Sequence, residues 1–376
     1  MLGSIFIGLS GMNAFSRGLR QISNNITNIN STGYKASDLG FVNLFGGGGG
    51  QGVAMSEGRI DFTQGELRQT DRDLDLAIDG GGFLVLLKDA EHVFTRTGSF
   101  EVNADGDIVL AGTDYKLTVL DSSGAPTTLS IAGHRTSPPQ ATSQITFSDN
   151  LSSSATSFNL SNVKVFSADG QSDTWQIKFA RSETSPAGEW TVKVVNGAGA
   201  EVGSRTLRFI GSIADPAASK LTFGEGDETI ELDFSAATSF SSGEVSTLRV
   251  SDANGYGGGE IAAMGVNDDG EFEIVYSNEE KVTLGAVTIA SFTDPQALQA
   301  QSRGLFSYDG ANGRQFLTSA NASVGKVVSG RLESSNVDLS REFGELILVQ
   351  RGYQASSQVI SVSNDMIQQL FGIRGQ

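Results

Sequence analysis

Cysteine is absent from this 376-residue chain, which removes disulfides, thiolate metal sites and cysteine nucleophiles together. Only 2 histidines, His92 and His134, are available for imidazole chemistry. His134 sits in a Gly-His-Arg loop with no second ligand nearby in sequence, and His92 precedes the strand-like Val93-Phe94-Thr95, so both read as ordinary histidines. Lys and Arg total 26 against 43 Asp and Glu, a net charge of −17. A surface of that sign repels nucleic-acid phosphates and anionic lipid headgroups. The chain has 2 Trp and 6 Tyr beside 22 Phe, a poor supply for an aromatic sugar groove, whereas Phe suits a core or an apolar interface that needs no polar handle. No apolar run approaches the roughly 18 residues of a membrane span. The opening stretch has its first positive charge at Arg17 and apolar residues broken by Gly, Ser and Asn, unlike a secretory signal. These scarcities argue against an enzyme, a nucleic-acid binder or a membrane-inserted protein, and no cofactor or metal is expected.

What is present is a division between helical ends and a β-rich middle. Ile5, Leu9, Met12, Phe15, Leu19, Ile22, Ile26 and Ile29 recur at spacings of three and four, the stripe of a long amphipathic helix. It is expected to stop near Asn30-Ser31-Thr32-Gly33, where Gly33 can take a left-handed conformation. At the other end Leu339, Phe343, Leu346, Tyr353, Ile360, Ile367 and Phe371 fit a heptad completed by Gln350, Ser357 and Asn364. Ser335, Asn336 and Asp338 all offer capping side chains there. Leu348, Val359, Val362, Met366 and Leu370 lie off that seam, and a second apolar face calls for a second partner.

Between the helices the period switches to two. Leu74 to Ile78 alternates, and Phe100-Glu101-Val102 and Asp107-Ile108-Val109 flank the turn Asn103-Ala104-Asp105-Gly106. Further alternating segments surround Val163, Trp175, Trp190 and Ile230, and Asn267-Asp268-Asp269-Gly270 is a second hairpin signal. The fold class is therefore mainly β with long terminal α-helices: antiparallel sandwich or barrel domains, and a discontinuous helical coiled-coil domain formed by both termini. The expected organisation is a helical assembly domain over 1–32 and 337–376, an irregular connecting segment over 33–70, a β domain over 71–140 and 285–336, and an inserted outer β domain over 141–284. The Ser-rich stretch from Thr136 to Ser157 reads as the boundary between the β domains.

Three local patterns invite chemical readings. Gly46, Gly47, Gly48, Gly49 and Gly50 form an unbroken run, but the Gly-Lys-Ser/Thr of a phosphate loop does not follow, so a flexible loop or hinge is expected. Asp71, Asp73, Asp75 and Asp79 are clustered, yet Leu76 and Gly82 stand where a calcium loop of the EF type needs Gly and Glu. The alternation instead places these carboxylates on the wet face of a strand. Nothing singles out a carboxylate pair for sugar hydrolysis.

Two terminal motifs carry a resemblance. Ser10-Gly11-Met12-Asn13-Ala14 with Ser23-Asn24-Asn25-Ile26-Thr27-Asn28-Ile29-Asn30-Ser31-Thr32-Gly33-Tyr34-Lys35 resembles the N-terminal signature of bacterial flagellar rod and hook proteins. Glu333-Ser334-Ser335-Asn336-Val337-Asp338-Leu339 followed by Gln350-Arg351-Gly352-Tyr353-Gln354-Ala355 is similar to the closing signature of that family. Gly82-Phe83-Leu84-Val85, Phe94 to Phe100 and Asp105-Gly106 resemble its shared β domain. The insertion, with Val163 to Gly170, Asn254-Gly255-Tyr256 and Tyr276-Ser277-Asn278, is similar to the additional domain of hook-type members; distal rod-type members usually lack it. Gly352 departs from the larger or polar residue often found there, and permits close packing or a bend.

The resemblance implies a structural subunit that self-assembles into a curved hollow tube, a universal joint transmitting torque from rod to filament and passing exported subunits. It implies an extracellular location in the flagellum and export through the flagellar type III apparatus without a cleaved signal. The implied partners are further copies of the chain, a distal rod protein, a hook cap and a hook-filament junction protein. Leu9, Met12, Leu19, Ile22, Ile26, Ile29 and the Leu339 to Phe371 heptad are the expected assembly residues. Gln354, Ser361, Gln368 and Gln369, off that heptad, are candidates to line the channel. A distal rod-type protein of the same family and a secreted β-rich adhesin or binding module remain as alternatives, with a secreted hydrolase weaker still.

Overall fold

The computed structural model describes residues 2–46, 49–56, 58–181, 188–224, 229–310, 312–319, 321 and 323–373. A long helix stands at each end, α1 over Leu2–Thr27 and α2 over Leu339–Ile373. Strand dominates between them. The chain divides into two compact units: the first comprises Met1–Gly133, Ala263–Ile274 and Val282–Gln376, the second His134–Ala262 and Val275–Lys281.

The helix ends follow from local chemistry. α1 closes at Thr27, slightly before the expected Asn30, because Asn28 and Thr27 turn their side chains back onto the Asn24 carbonyl at 2.8 and 3.1 Å. Gly33 then adopts φ 69°, and its amide donates to the Glu333 carbonyl at 2.8 Å. Of the possible caps for α2, Asp338 takes the role: its Oδ1 accepts from the amides of Ser340 and Arg341 at 2.8 and 3.3 Å. Asn336 is diverted to the incoming chain, accepting from the Ala36 amide at 2.8 Å and donating to the Asp61 carbonyl at 2.8 Å.

The segment from 33 to 70, expected to be irregular, is largely paired strand. Ser37–Asp38 pairs with Arg59–Ile60, and Leu67–Gln69 pairs with Arg331–Glu333. Phe41–Gly46 and Gly49–Met55 form an antiparallel hairpin with Phe41 opposite Met55 and Gly46 opposite Gly49. Of the glycine run, Gly46, Gly49 and Gly50 are thus paired within this hairpin. Gly47 and Gly48 lie outside the described residues. Two- and three-residue strands and glycine carry almost no period-two signal, which is why the sequence hides them.

The β part of the first unit is a sheet running Gln299–Ala300, Leu305–Ser307, Glu91–Thr95, Phe83–Lys88, Lys116–Leu120, Ile108–Leu110, Thr97–Val102, Asp75–Asp79, Lys326–Ser329, with Thr288–Phe292 joined to Phe83–Lys88. Its core gathers Phe83, Val85, Phe94, Phe292 and Phe306, with Phe83 meeting Phe292 edge-on at 5.5 Å and Phe94 meeting it at 4.9 Å. Such edge-to-face pairs add about 0.5–1.5 kcal/mol each beyond area burial. The turn at Asn103–Gly106 forms as its composition dictates: Gly106 has φ 91° and Asn103 Oδ1 accepts from the Asp107 amide at 2.8 Å. One expectation fails here. Asp75 is buried and accepts from Ser99 Oγ at 2.5 Å, because Asp75–Asp79 is an interior strand covered on both faces, flanked by Thr97–Val102 and Lys326–Ser329.

The second unit holds a separate sheet in the order Ser157–Phe166, Ser172–Ala180, Glu189–Val195, Glu201–Ile210, Ile213–Ala214, Ile230–Thr238, Gln144–Asn150, Arg249–Ala253. Trp175, Ile177, Phe179, Trp190, Val192, Phe147 and Phe234 fill its core. The unit begins at His134, ahead of the Ser-rich stretch read as a boundary. That stretch contributes the Gln144–Asn150 strand to the sheet, where it runs parallel to Ile230–Thr238.

Candidate self-assembly surface

The two terminal helices lie against each other along a seam made of small residues. On α1 the buried positions are Gly8, Gly11, Ala14, Gly18, Ile22 and Asn25. A Cβ at Gly8 would stand 2.7 Å from Ile360 Cγ1, one at Gly11 2.5 Å from Ser356 Oγ, and one at Gly352 2.5 Å from the Phe15 ring. The helices approach too closely for side chains at these points. Gly352 therefore serves close packing. The seam of α2 runs through Glu342, Leu346, Val349, Gly352, Ser356, Ile360, Ser363 and Ile367. Gln350, Ser357 and Asn364, placed in the heptad by sequence, are exposed instead. A seam rich in Gly and Ser is invisible to a hydrophobic count, so Leu346, Ile360 and Ile367 fall on it as expected while Val349, Gly352, Ser356 and Ser363 take the places of Gln350, Tyr353, Ser357 and Asn364.

The consequence is that many of the large apolar side chains are turned outward. Of the expected assembly residues, Ile22 is buried, while Met12, Leu19, Ile26, Ile29, Leu346, Ile360 and Ile367 are half-buried. Leu9, Leu339, Phe343 and Tyr353 are exposed. The Phe371 side chain lies outside the described residues. Phe6 is 57% exposed, Phe343 50%, Ile347 53%, Leu348 70% and Met366 54%. Exposed apolar concentrations of this kind mark interaction surfaces, since burying each side chain is worth about 1.5–3 kcal/mol. At about 100° per residue, Leu348, Val359, Val362 and Met366 fall on one flank of α2. Gln354, Ser361 and Gln368 fall on the flank that carries Phe343 and Ile347, and Gln369 lies between the two. All four polar residues are exposed.

The Phe41–Met55 hairpin extends this surface. Phe15 meets Phe41 with ring centroids 5.4 Å apart, and the Val53 amide donates to Ser10 Oγ at 3.3 Å, so the hairpin is laid along α1. Its Val42 and Leu44 side chains remain exposed.

A polar cluster that sequence reasoning missed fixes the base of the helix pair. Asn25 Nδ2 donates to Glu342 Oε1 at 2.9 Å and to the Ser37 carbonyl at 3.0 Å, and its Oδ1 accepts from the Tyr34 hydroxyl and the Ser37 amide, both at 3.1 Å. Glu342 Oε2 is buried without a partner. Burial, reinforced by Glu345 and Asp38, pushes the Glu342 carboxyl above its ordinary range against the opposing Asn25 hydrogen bond. Burial and then the Glu342 charge raise the Tyr34 phenol. The signal available in sequence was the dense Asn-Asn-Ile-Thr-Asn run, which no helix propensity explains.

Three segments match families of flagellar axial proteins. Residues 5–35 match the family described as flagella basal body rod protein, residues 77–161 the flagellar hook protein FlgE/F/G D1 domain, and residues 328–373 the flagellar basal body rod FlgEFG protein C-terminal. The flagellar hook protein FlgE of Escherichia coli (strain K12) is 28% identical over 399 residues, spanning 97% of this chain and 98% of that protein. That of Brucella suis biovar 1 is 28% identical over 404 residues, spanning 100% of this chain and 99% of that protein. Together these matches, over nearly the full chain, support a flagellar hook protein. The matched N- and C-terminal segments include most of both helices of the exposed apolar surface. In fold, the chain is similar to the crystal structure of Helicobacter pylori flagellar hook protein FlgE2, with a TM-score of 0.51 at 11% identity, covering 72% of this chain and 100% of that one. The full-length relatives make the chain a structural subunit of the flagellar hook.

Proposed function

We propose that the chain polymerises through its terminal helices into a curved hollow tube that works as a universal joint, transmitting torque from rod to filament. The observation that carries this reading is the outward-facing apolar surface of α1, α2 and the hairpin, beside a seam already closed by glycine. The helix pair is satisfied internally, so Phe6, Leu9, Phe343, Ile347, Leu348, Tyr353 and Met366 await neighbouring copies. Polymer contacts built this way are apolar and weakly salt-dependent. The acidic, β-rich remainder of a −17 chain suits weaker contacts that exchange as the tube turns.

In this reading the stretch of α2 beyond Tyr353 carries the lumen face, with Gln354, Ser361 and Gln368 polar and uncharged so that unfolded cargo passes without adhering, while Phe343 and Ile347, nearer the start of the helix on the same flank, meet neighbouring copies. The second unit, with a core of its own, adjusts curvature and is dispensable for polymerisation. Export through the type III apparatus, growth beneath a hook cap, and junctions with a distal rod protein and a hook-filament junction protein complete the proposal. Replacing Gln354 and Ser361 together by Leu tests the lumen assignment in cells. Hooks of normal length with impaired filament growth are expected; normal filaments on a folded variant contradict it.

A further inference from the structure

Outside the helix surface, the structure contains a group of buried charges that polymerisation does not explain. Glu333, Lys35 and Arg96 have side chains exposed by 0%, 1% and 1%. Glu333 Oε1 accepts from Lys35 Nζ at 2.6 Å and from the Gly65 amide at 2.8 Å, and its Oε2 accepts from Arg96 Nε at 3.3 Å. Lys35 Nζ also donates to the Thr63 carbonyl at 2.7 Å, and the Arg96 guanidinium donates to the carbonyls of Gly80 and Gly82. The backbone joins in: the Gly33 amide donates to the Glu333 carbonyl at 2.8 Å, and the Glu333 amide to Thr97 Oγ1 at 3.1 Å.

The position matters as much as the bonding. Chain leaving α1 passes through Gly33 to Lys35, and chain returning to α2 passes through Glu333 to Asn336. Arg96 is the single residue that joins the Glu91–Thr95 and Thr97–Val102 strands, both interior to the sheet. Both passes are therefore pinned to the β sheet at one point. Burial draws the Lys35 ammonium and the Arg96 guanidinium below their ordinary values, and the Glu333 carboxylate opposes this in both. A buried ionic group is a poor source of stability compared with apolar residues of the same volume, and its best-attested use is to impose one geometry. Directional hydrogen bonds from a carboxylate to a lysine, an arginine and an amide define an angle, which apolar contact does not.

We propose that Glu333, with Lys35 and Arg96, is the positioning centre that fixes the direction in which both terminal helices leave the β part of the first unit, so that every subunit enters the polymer with the same geometry. This deepens the polymer reading and rests on it only for its assembly consequence.

The test uses the full chain and the variants Glu333→Gln, which removes the charge at constant shape, and Lys35→Met, which leaves the Arg96–Glu333 pair. Amide hydrogen exchange is read at Gly33 and Gly65, and separately along Thr97–Val102 and Ile108–Leu110, with electron microscopy of polymer alongside. Glu333→Gln is expected to speed exchange at Gly33 and Gly65 at least tenfold while the two strands keep their protection, and to give tubes of scattered diameter or none. Lys35→Met is expected to fall between it and the parent chain. Exchange at Gly33 and Gly65 within twofold of the parent, or loss of protection in the strands of both variants, overturns the proposal, the latter by making the group a core stabiliser. A parent chain that forms no tubes refutes the polymer reading instead, and the exchange measurement still decides the role of Glu333.

Discussion

Glu342 shows how much a single side chain can reveal. The residue is 4% exposed, and its carboxyl accepts one hydrogen bond from Asn25 and leaves its second oxygen bare, so the charged form is penalised and the folded pKa stands above the ordinary 4.5. Between those two values the folded chain binds more protons than the unfolded one, and stability falls as pH rises through the folded value. Glu342→Gln removes the penalty and is expected to stabilise the chain by about 1 kcal/mol near neutral pH, with the gain vanishing below the unfolded pKa. Denaturant midpoints of the two chains across that pH interval check this; a gain independent of pH contradicts it. Residues of this kind were only half legible. Lys35, Arg96 and Glu333 all stand inside or beside recognisable motifs, but nothing in a linear sequence joins Lys35 to a carboxylate at position 333. The partnership exists because three distant segments converge.

Among the elements, α1 and α2 were legible from their three-and-four spacing, and the strands of both units from alternation and from Asn-x-x-Gly turns. The helix seam was not, because its residues are Gly8, Gly11, Gly18, Gly352 and Ser356, and the hairpin at Phe41–Met55 was masked by its glycines. The seam makes a quantitative prediction. Gly352→Ala gains about 1 kcal/mol in helix propensity, but its Cβ would stand 2.5 Å from the rigid Phe15 ring, and overpacking of that order costs about 1–3 kcal/mol. The second effect wins, so the variant is expected to melt lower than the parent, and Phe15→Leu in the same chain is expected to restore part of the loss. A rise in melting temperature for Gly352→Ala alone contradicts a closed seam. Removing the α2 cap by Asp338→Ala is expected to cost about 1 kcal/mol, read from the same melts.

For the whole molecule, the division of labour follows from where each core lies. The first unit is assembled from three separated pieces of chain, whereas the second unit has its own core of Trp175, Trp190 and the phenylalanines around them. Both tryptophans of the sequence fall in that unit, so their fluorescence reports it alone. A fragment of residues 134–281 is expected to melt cooperatively and to sediment as a monomer; a molten or polymeric fragment contradicts the assignment of assembly to the terminal helices. The polymer surface itself is tested most directly by electron microscopy of the full chain at high concentration beside the double variant Phe343→Asp and Leu348→Asp, whose side chains are 50% and 70% exposed and make no internal core. The account predicts tubes from the parent and none from a variant with unchanged melting; tubes from both, or a parent that stays monomeric, would contradict it.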